Sequence, residues 1–519
     1  MKGGGSLLSR LRNFAINAGI LTATSLSLGT VGVFYNAWLT QNLGSEGTGL
    51  FSLMMAVYRF MVTFACSGSG LAATRLVAEE NARKNGNGAS KAMSQTLIYS
   101  LIFGVLAGAL LLFVSDFSAD VLVGDSRAAL PFRVLSFSLP FVGVSSALGG
   151  YFTAVTRVAP SSVAQIFEQL SQMAFTMFVF ALLKPKDLGF ACVLVAAGST
   201  VSETFSFIIH WILYRRDRRK HPFTKCGETN SLLIWKRLTE IALPVGASAV
   251  LRSALSTVKH LLVPVSLMKS GMDNTAALSE YGIVGGMVLP VLMFPCAFLL
   301  GFSNLLVPEV AEYRELGENG KIDRVMAYVF RMTLMFAIAV AAALICYSDE
   351  IAVMLYKEPK AGEAIRAIAP IVTVMYLDSA VDGILKGLGE QVAVVRYNVY
   401  DTALCVIMVY TLVPLFGTPG YLATIVISEV FNMTLSAARL VYVTGFKVNS
   451  LRWVLIPALA SALSMALSRS VLKIFGVGSM NVFGLILSIS FMAAVYYAIL
   501  RLCRCITKED ICRAKRIFS

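Results

Sequence analysis

The chain has 519 residues, 57% of them hydrophobic and 14% charged, with a mean hydropathy of +0.73, whereas a soluble domain carries about 25% charged residues. That composition excludes an ordinary soluble enzyme. Its 44 Lys and Arg against 30 Asp and Glu give a net charge of +14, which suggests nucleic acid as a partner only until the positions of the charges are read.

A helix needs about 20 apolar residues to cross a bilayer, because each residue rises about 1.5 Å through a hydrocarbon core about 30 Å thick. In chain order, fourteen such runs lie near residues 14–38, 50–72, 92–114, 129–155, 161–183, 188–214, 239–267, 279–307, 325–347, 364–386, 392–415, 419–442, 451–474 and 481–503. The first is too long for a signal-peptide core and is followed by others, so it is expected to stay in the mature chain.

Cytoplasmic loops keep positive charge, and Lys and Arg here fall in alternate loops. With the amino terminus inside, the cytoplasmic side collects Lys2, Arg10 and Arg12, then Arg75, Arg83, Lys84 and Lys91, Arg157, and the dense loop from Arg215 to Arg237. Further along, the same side holds Arg314, Lys321 and Arg324, Lys386 and Arg396, Arg439, Lys447 and Arg452, and a basic tail after Arg501. The opposite side has fewer, among them Arg127, Arg133, Lys184, Lys357, Arg366 and Arg469. The net charge therefore reflects topology. Both termini are expected in the cytoplasm, and no nucleic-acid partner is expected.

The nine cysteines lie in apolar stretches or basic segments without paired extracellular spacing and read as reduced thiols. Cys503, Cys505 and Cys512 cluster in the tail and read as free, with metal binding or acylation next to a membrane as the alternatives.

Sliding the chain against itself by 233 residues places Gly49 on Gly282, Met54 on Met287, Ala78 on Ala311 and Glu79 on Glu312. In the same register Arg133 meets Arg366, Gly150 meets Gly383, Gln165 meets Asn398 and Glu168 meets Asp401. The offset covers six spans, an even number, so the copies run in the same direction and form parallel repeats of a kind that flank a central path. The expected domains are an N-lobe over 1–237 (spans 1–6 and a basic linker), a C-lobe over 238–450 (spans 7–12), and 451–519 with spans 13 and 14 and the tail.

A charge at mid-bilayer costs about 2.5 to 3.5 kcal/mol on the insertion scale, so such residues face protein or water and are functional candidates. Arg59 lies near the middle of span 2 and Arg252 near the middle of span 7, with Lys259 seven residues further on. Seven residues is almost two turns, so Arg252 and Lys259 share a face with Ser256, and His260 borders it. The apolar cores of spans 1, 2 and 7 contain no Asp or Glu. Unpaired Arg and Lys suit an anion, with phosphate or diphosphate the natural one. The alternative is that each cation bonds a carbonyl, snorkels, or pairs with an acid from another span. A second polar group, Asp378, Asp382, Asn398, Asp401, Glu429 and Asn432 on spans 10–12, either holds Na⁺, relays protons, or bonds helices together. Glu203 and His210 in span 6 stay unassigned, and no confident metal site is read.

Three stretches carry a family resemblance: GLFSLMMAVYRFMVTFACSGSGLAATRLVAEE from Gly49 to Glu80, GGYFTAVTRVAPSSVAQIFEQ from Gly149 to Gln169, and LRSALSTVKHLLVP from Leu251 followed by YGIVGGMVLPVLMFP from Tyr281. They resemble the polysaccharide-exporter branch of the multidrug/oligosaccharidyl-lipid/polysaccharide exporter superfamily, and within it the stage V sporulation protein B group, related to lipid II flippases. The resemblance implies an all-α integral membrane fold of fourteen transmembrane helices, with two parallel-repeat six-helix lobes in a V shape plus two extra C-terminal helices. It also implies export of undecaprenyl-linked saccharides by alternating access. Lipid II flippase relatives use essential arginines, one on span 2, and Arg59 matches it. They also carry arginines on span 1, where this chain has only Arg10 and Arg12 near the cytoplasmic entry. Some relatives bind Na⁺ through an Asn and an Asp on span 11, which Asn398 and Asp401 resemble with a spacing one residue shorter.

The expected function is a flippase in the cytoplasmic membrane of a bacterium, moving a polyprenyl-diphosphate-linked glycan in peptidoglycan, spore-cortex or other cell-envelope synthesis. Arg59, Arg252, Lys259, His260 and Ser256 are its expected substrate-binding residues. The rivals are a cation-coupled multidrug exporter on the same scaffold and a transport-inactive scaffold for glycan-synthesis enzymes. No loop is long enough for a catalytic domain, so no enzyme is expected. No cofactor is expected beyond coupling to Na⁺, H⁺ or the membrane potential. The expected partners are the glycan lipid, membrane lipids and glycan-synthesis enzymes, with the chain acting as a monomer.

Overall fold

The structure of the chain, a computed structural model, describes residues 4–157, 159–223, 230–297, 299, 310, 311, 313–446, 451–474, 481–503 and 505. Lys2, Lys225, Cys226, Glu309, Glu312 and Lys447 lie outside the described residues, as do Arg504, Lys508, Cys512, Arg513, Lys515 and Arg516 in the tail.

Helices account for the architecture, and no strand occurs among the described residues. The first six are α1 (Gly4–Cys66), α2 (Ser69–Ala82), α3 (Gly86–Phe113), α4 (Ser115–Phe117), α5 (Ala129–Ser136) and α6 (Leu139–Ala154). They are followed by α7 (Ala159–Leu183), α8 (Leu188–Lys220), α9 (Ser231–Lys269), α10 (Asn274–Tyr281) and α11 (Leu289–Met293). Next come α12 (Asn319–Cys346), α13 (Ser348–Tyr356), α14 (Pro359–Ile368) and α15 (Val372–Gly387). The described helices end with α16 (Gln391–Phe416), α17 (Thr418–Thr444), α18 (Ile456–Ile474) and α19 (Val482–Leu502).

Among the described residues, twelve segments are long and apolar enough to cross a membrane, or thirteen when Ser126–Ser136 and Leu139–Ala154, bent by 48°, count as one span. Fourteen were expected. The first two expected runs are counted together in one apolar segment of 56 residues over 27–82, in which two helices join across a kink with no loop between them, and the fourth expected run is the bent pair. At 1.5 Å per residue a straight helix of that length would reach about 84 Å, well beyond a core of about 30 Å. Its helical backbone breaks at Gly44, with φ 71° and ψ −178°, a conformation essentially confined to glycine.

Contacts divide the chain into two compact units, residues 1–35 with 46–265 and residues 36–45 with 266–519. Lipid tails are as apolar as leucine, so helices in a membrane are held by close fit and interhelical hydrogen bonds. In the first unit, Val77 of α2, Met93 of α3 and Leu148, Tyr151 and Phe152 of α6 form one buried cluster. Ile234, Leu238 and Ala242 attach α9 to Ala72, Leu76 and Tyr99. The approach is also close where the chain turns from α1 into α2. Gly68 has φ 74°, and a Cβ placed there would meet the Ala242 carbonyl oxygen at 2.5 Å, while one on Gly246 would meet the Ser67 carbonyl carbon at 2.8 Å.

In the second unit, Val325 and Val329 of α12 pack with Val381, Ile384 and Leu385 of α15. The last two helices attach to α12 through Met335, Ala460, Tyr496 and Leu500. Tyr496 donates to the Met335 carbonyl (2.9 Å), and the Tyr347 and Ser468 hydroxyls share a hydrogen bond of 2.5 Å. Large apolar side chains such as Phe113, Phe483 and Leu502 stay exposed on helix exteriors, as expected for a surface that meets lipid.

The repeat read from the sequence is present in the backbone. At the same offset of 233 residues, α3 and α12 begin and end together, as do α6 and α15. Four pairs of positive-φ residues also coincide: Lys84 with Gly317, Gly124 with Lys357, Thr156 with Gly389, and Lys184 with Gly417. Only some members of these pairs are glycine, so the turns are shared although the residue types differ.

Candidate functional site

Arg59 lies on the part of α1 after Gly44, on a face fixed by two contacts to α9. Thr63 donates to the Ser253 hydroxyl (3.3 Å) and also to the Arg59 carbonyl (2.9 Å), and Thr257 donates to the Ala56 carbonyl (3.2 Å). Ala56, Arg59 and Thr63 are spaced i, i+3, i+7 and so share one face. The two contacts run antiparallel, which sets Arg59 level with Ser256. His260, one turn on, lies within electrostatic reach of both Arg59 and Lys259. The structure thus brings Arg59, Ser256, Lys259 and His260 into one neighbourhood of the first unit. Arg252 stands one turn before Ser256, on the stripe that also carries Lys259.

Arg59 and Arg252 are exposed, and Lys259, His260 and Ser256 are half-buried. Among the described residues, the side chains of Arg59, Arg252 and Lys259 have neither a hydrogen-bond nor an ion-pair partner. Several other cations of the unit are paired: Arg237 with Glu79 and with Glu80 (2.9 Å), Arg157 with Asp217, and Arg127 with Asp125 (2.6 Å) and Glu46 (2.7 Å). Unlike the cations at helix ends, Arg59, Arg252 and Lys259 stand within apolar spans, where unpaired positive groups are able to accept an anion. Arg supplies a planar fork of donors and Lys a compact charge.

The second polar group is built on α15, α16 and α17. Asn432 donates to Asp378 (2.8 Å), Ser436 to Asp382 (3.3 Å), and Ser428 to Asp401 (2.5 Å). Asn398 donates to the Val394 carbonyl (2.8 Å), and one oxygen each of Asp378 and Asn432 is buried without a partner. Glu429 lies on α17 with its own interactions. Among the described residues no three His, Cys, Asp or Glu side chains are grouped so as to hold a metal ion. What the coordinates display here is helix-to-helix hydrogen bonding. The seven described cysteines, Cys503 and Cys505 included, are free thiols.

The sequence reading left Glu203 and His210 unassigned. The structure places both on the wall of a cavity of about 640 Å³ within the first unit, together with Gln165 and Glu168. By the repeat offset, Gln165, Glu168, Ser199 and Glu203 correspond to Asn398, Asp401, Asn432 and Ser436. The two units therefore carry polar groups at equivalent positions on equivalent helices. Adding Ser199 and Glu203 to the Gln165 and Glu168 matches would have revealed this in the sequence.

Residues 14–268 match the family described as polysaccharide biosynthesis protein. The chain is 21% identical to stage V sporulation protein B of Bacillus subtilis (strain 168), covering 95% of this chain and 96% of that protein. It is 20% identical to the lipid II flippase MurJ of the same organism, over 76% of this chain and 77% of that one. Among solved structures, the inward closed conformation of lipid II flippase MurJ matches with a TM-score of 0.68 at 12% identity, covering 93% of this chain and 98% of that one. Of these relatives, one is named as a sporulation protein and the other as a lipid II flippase. The resemblance to the polysaccharide-exporter branch holds, and the chain is a multi-pass membrane protein with the fold of that superfamily.

Proposed function

We propose that the protein is a flippase that exports a polyprenyl-diphosphate-linked saccharide across the bacterial cytoplasmic membrane by alternating access, both termini being cytoplasmic. Arg59, Arg252 and Lys259 engage the diphosphate, and Ser256 and His260 add hydrogen bonds beside it. One observation carries the reading: Arg59 is seated against α9 by its neighbours Ala56 and Thr63, near Lys259, with no acid to neutralise it among the described residues. A diphosphate supplies the missing counter-charge through charge-assisted, partly bidentate hydrogen bonds. The chemistry is binding and release, and no covalent step is required. An inside-negative potential favours outward movement of an anion by about 2.3 kcal/mol per charge per 100 mV, which supplies drive without a dedicated coupling ion.

Purified protein in vesicles, loaded with labelled lipid-linked saccharide on one leaflet, tests the reading. Arg59→Ala and Arg252→Ala are expected to abolish movement while inserting normally. Undiminished transport in both variants defeats it.

A second reading, a cation-coupled multidrug exporter, has one observation in its favour. The carboxylates that spans 1, 2 and 7 lack are supplied to a first-unit cavity by α7 and α8, as Glu168 and Glu203. However, no Phe, Tyr or Trp is among the described residues lining that cavity, and the faces of those rings are what cage organic cations.

A further inference from the structure

The first-unit cavity contains polar groups that the diphosphate reading does not use. Its wall comes from α1, α6, α7 and α8, and it opens on the surface of the unit. Part of the lining is already committed. Gln169 donates to the Leu28 carbonyl (3.0 Å), Gln172 to the Ser199 hydroxyl (2.9 Å), and Ser206 to one Glu168 oxygen (2.6 Å). His210 donates from Nδ1 to the Ser206 carbonyl (3.0 Å), leaving Nε2 unused. Those bonds fix the orientation of the wall.

The remainder is uncommitted. Glu203 and Gln165 make no hydrogen bond or ion pair among the described residues, and the Ser145 hydroxyl, also in the wall, is buried without a partner. A buried polar atom left unbonded, as the Ser145 hydroxyl is, costs about 1 to 3 kcal/mol, and half-buried Glu203 and exposed Gln165 stand beside it with their polar atoms open to a ligand or water.

The chemistry of the set selects the ligand. Glu168 and Glu203 lie within electrostatic reach of each other, and the described lining includes no Lys or Arg, so an anion is repelled. A bare metal ion needs converging oxygens, and no such trio exists among the described residues. The volume of about 640 Å³ falls in the range of cavities that enclose small organic ligands, about 300–1,000 Å³. Carboxylates accept, an amide both donates and accepts, and hydroxyls do either. Their natural complement is a ligand dense in neutral hydroxyl groups.

We propose that this cavity is a saccharide subsite, in which Glu203, Gln165 and Ser145 bond the hydroxyls of a neutral sugar. It rests on the flippase reading and extends it, separating a cationic place for the diphosphate from an acid-and-amide place for the glycan.

The test is saturation-transfer difference NMR on the full chain in detergent micelles, with di-N-acetylchitobiose and maltose as probes free of lipid and phosphate. Wild type is expected to transfer saturation to ring protons of at least one probe. Glu203→Leu and Gln165→Leu should lower the signal at least five-fold, Glu203→Gln should retain a large part of it, and Gly484→Ala, with nothing near the added atom, should leave it unchanged. Equal elution volumes and melting points establish that the variants are folded. No transfer in wild type with either probe overturns the proposal. So does undiminished signal in both Leu variants, or displacement of the sugars by tetraphenylphosphonium. The probes carry neither diphosphate nor tail, so a saccharide signal without vesicle transport defeats the flippase reading alone. Transport that depends on Arg59, without a saccharide signal, defeats the subsite alone.

Discussion

Arg133 and Arg366, 233 residues apart, make the same pair of bonds: each donates from Nε to a serine hydroxyl, Ser115 (3.2 Å) or Ser348 (3.1 Å), and from Nη2 to the aspartate that follows, Asp116 or Asp349. The serines and aspartates also sit at the repeat offset. These pairs are substantially exposed, and exposed ion pairs contribute about 0 to 1 kcal/mol. A double-mutant cycle on Arg133→Ala and Asp116→Ala, read as thermal midpoints in detergent, should give a coupling under about 1 kcal/mol that shrinks further in high salt. A larger coupling would mean that the pair holds the fold rather than marking its ancestry.

Lys357 closes α13 in the left-handed conformation (φ 56°), where the first repeat has Gly124 (φ 75°). The left-handed conformation costs a side chain bearing Cβ about 1 kcal/mol. Lys357→Gly should raise the thermal midpoint by an amount corresponding to at most about 1 kcal/mol, and Gly124→Lys should lower it comparably. Shifts of the opposite sign would contradict the backbone assignment at both positions.

Gly246 faces the turn between α1 and α2, and the atoms a Cβ would strike there include the backbone carbonyl carbon and oxygen of Ser67 beside its hydroxyl. Backbone cannot rotate away as a side-chain tip can. Gly246→Ala should therefore destabilise by about 1 to 3 kcal/mol, the cost of overpacking, and should reduce yield of monodisperse protein. Gly484→Ala, with nothing near the added atom, is the matched control.

At Arg59 the prediction turns on geometry as well as charge. Arg59→Lys keeps the charge but loses the planar fork, so it should retain transport at a rate reduced about ten-fold, whereas Arg59→Gln should give none. Initial rates in vesicles decide between them. Equal activity of the two variants would remove charge from the argument.

The two hydroxyl contacts that seat Arg59 are individually weak, since interhelical hydrogen bonds in membranes average about 0.6 kcal/mol. Thr63→Val with Thr257→Val should slow transport no more than about ten-fold and leave insertion unchanged. Complete loss of transport in the double variant would mean that these residues touch the cargo themselves.

Much of the scaffold is readable from residues alone. The apolar runs, the alternating positive loops and the register of Arg133 with Arg366 are all local or periodic signals. Other features depend on the folded chain. The turns at Lys84 and Gly317, or Thr156 and Gly389, share a backbone conformation without sharing a residue type, so comparison of letters passes over them. Residues 39–49 fall between the first two apolar runs, yet helix continues through them on both sides of a kink at Gly44, because one glycine with positive φ is enough to redirect the chain. Glu203 was visible as a polar residue in span 6. Its place beside Gln165 and Ser145 on one cavity wall arises from the packing of three consecutive helices, α6, α7 and α8. Arg59, Arg252 and Lys259 were conspicuous for the opposite reason, since a cation in an apolar run stands out by itself.

The last two helices are fastened to the second repeat through Tyr496, Ser468 and Arg469, which reach Met335, Tyr347 and Glu350. No counterpart follows the first repeat, whose chain runs from α8 directly toward α9. A gene that doubled a six-helix module and then gained a terminal hairpin would leave this lopsided record, with the late acquisition free to diversify while the older halves stay constrained by each other's likeness.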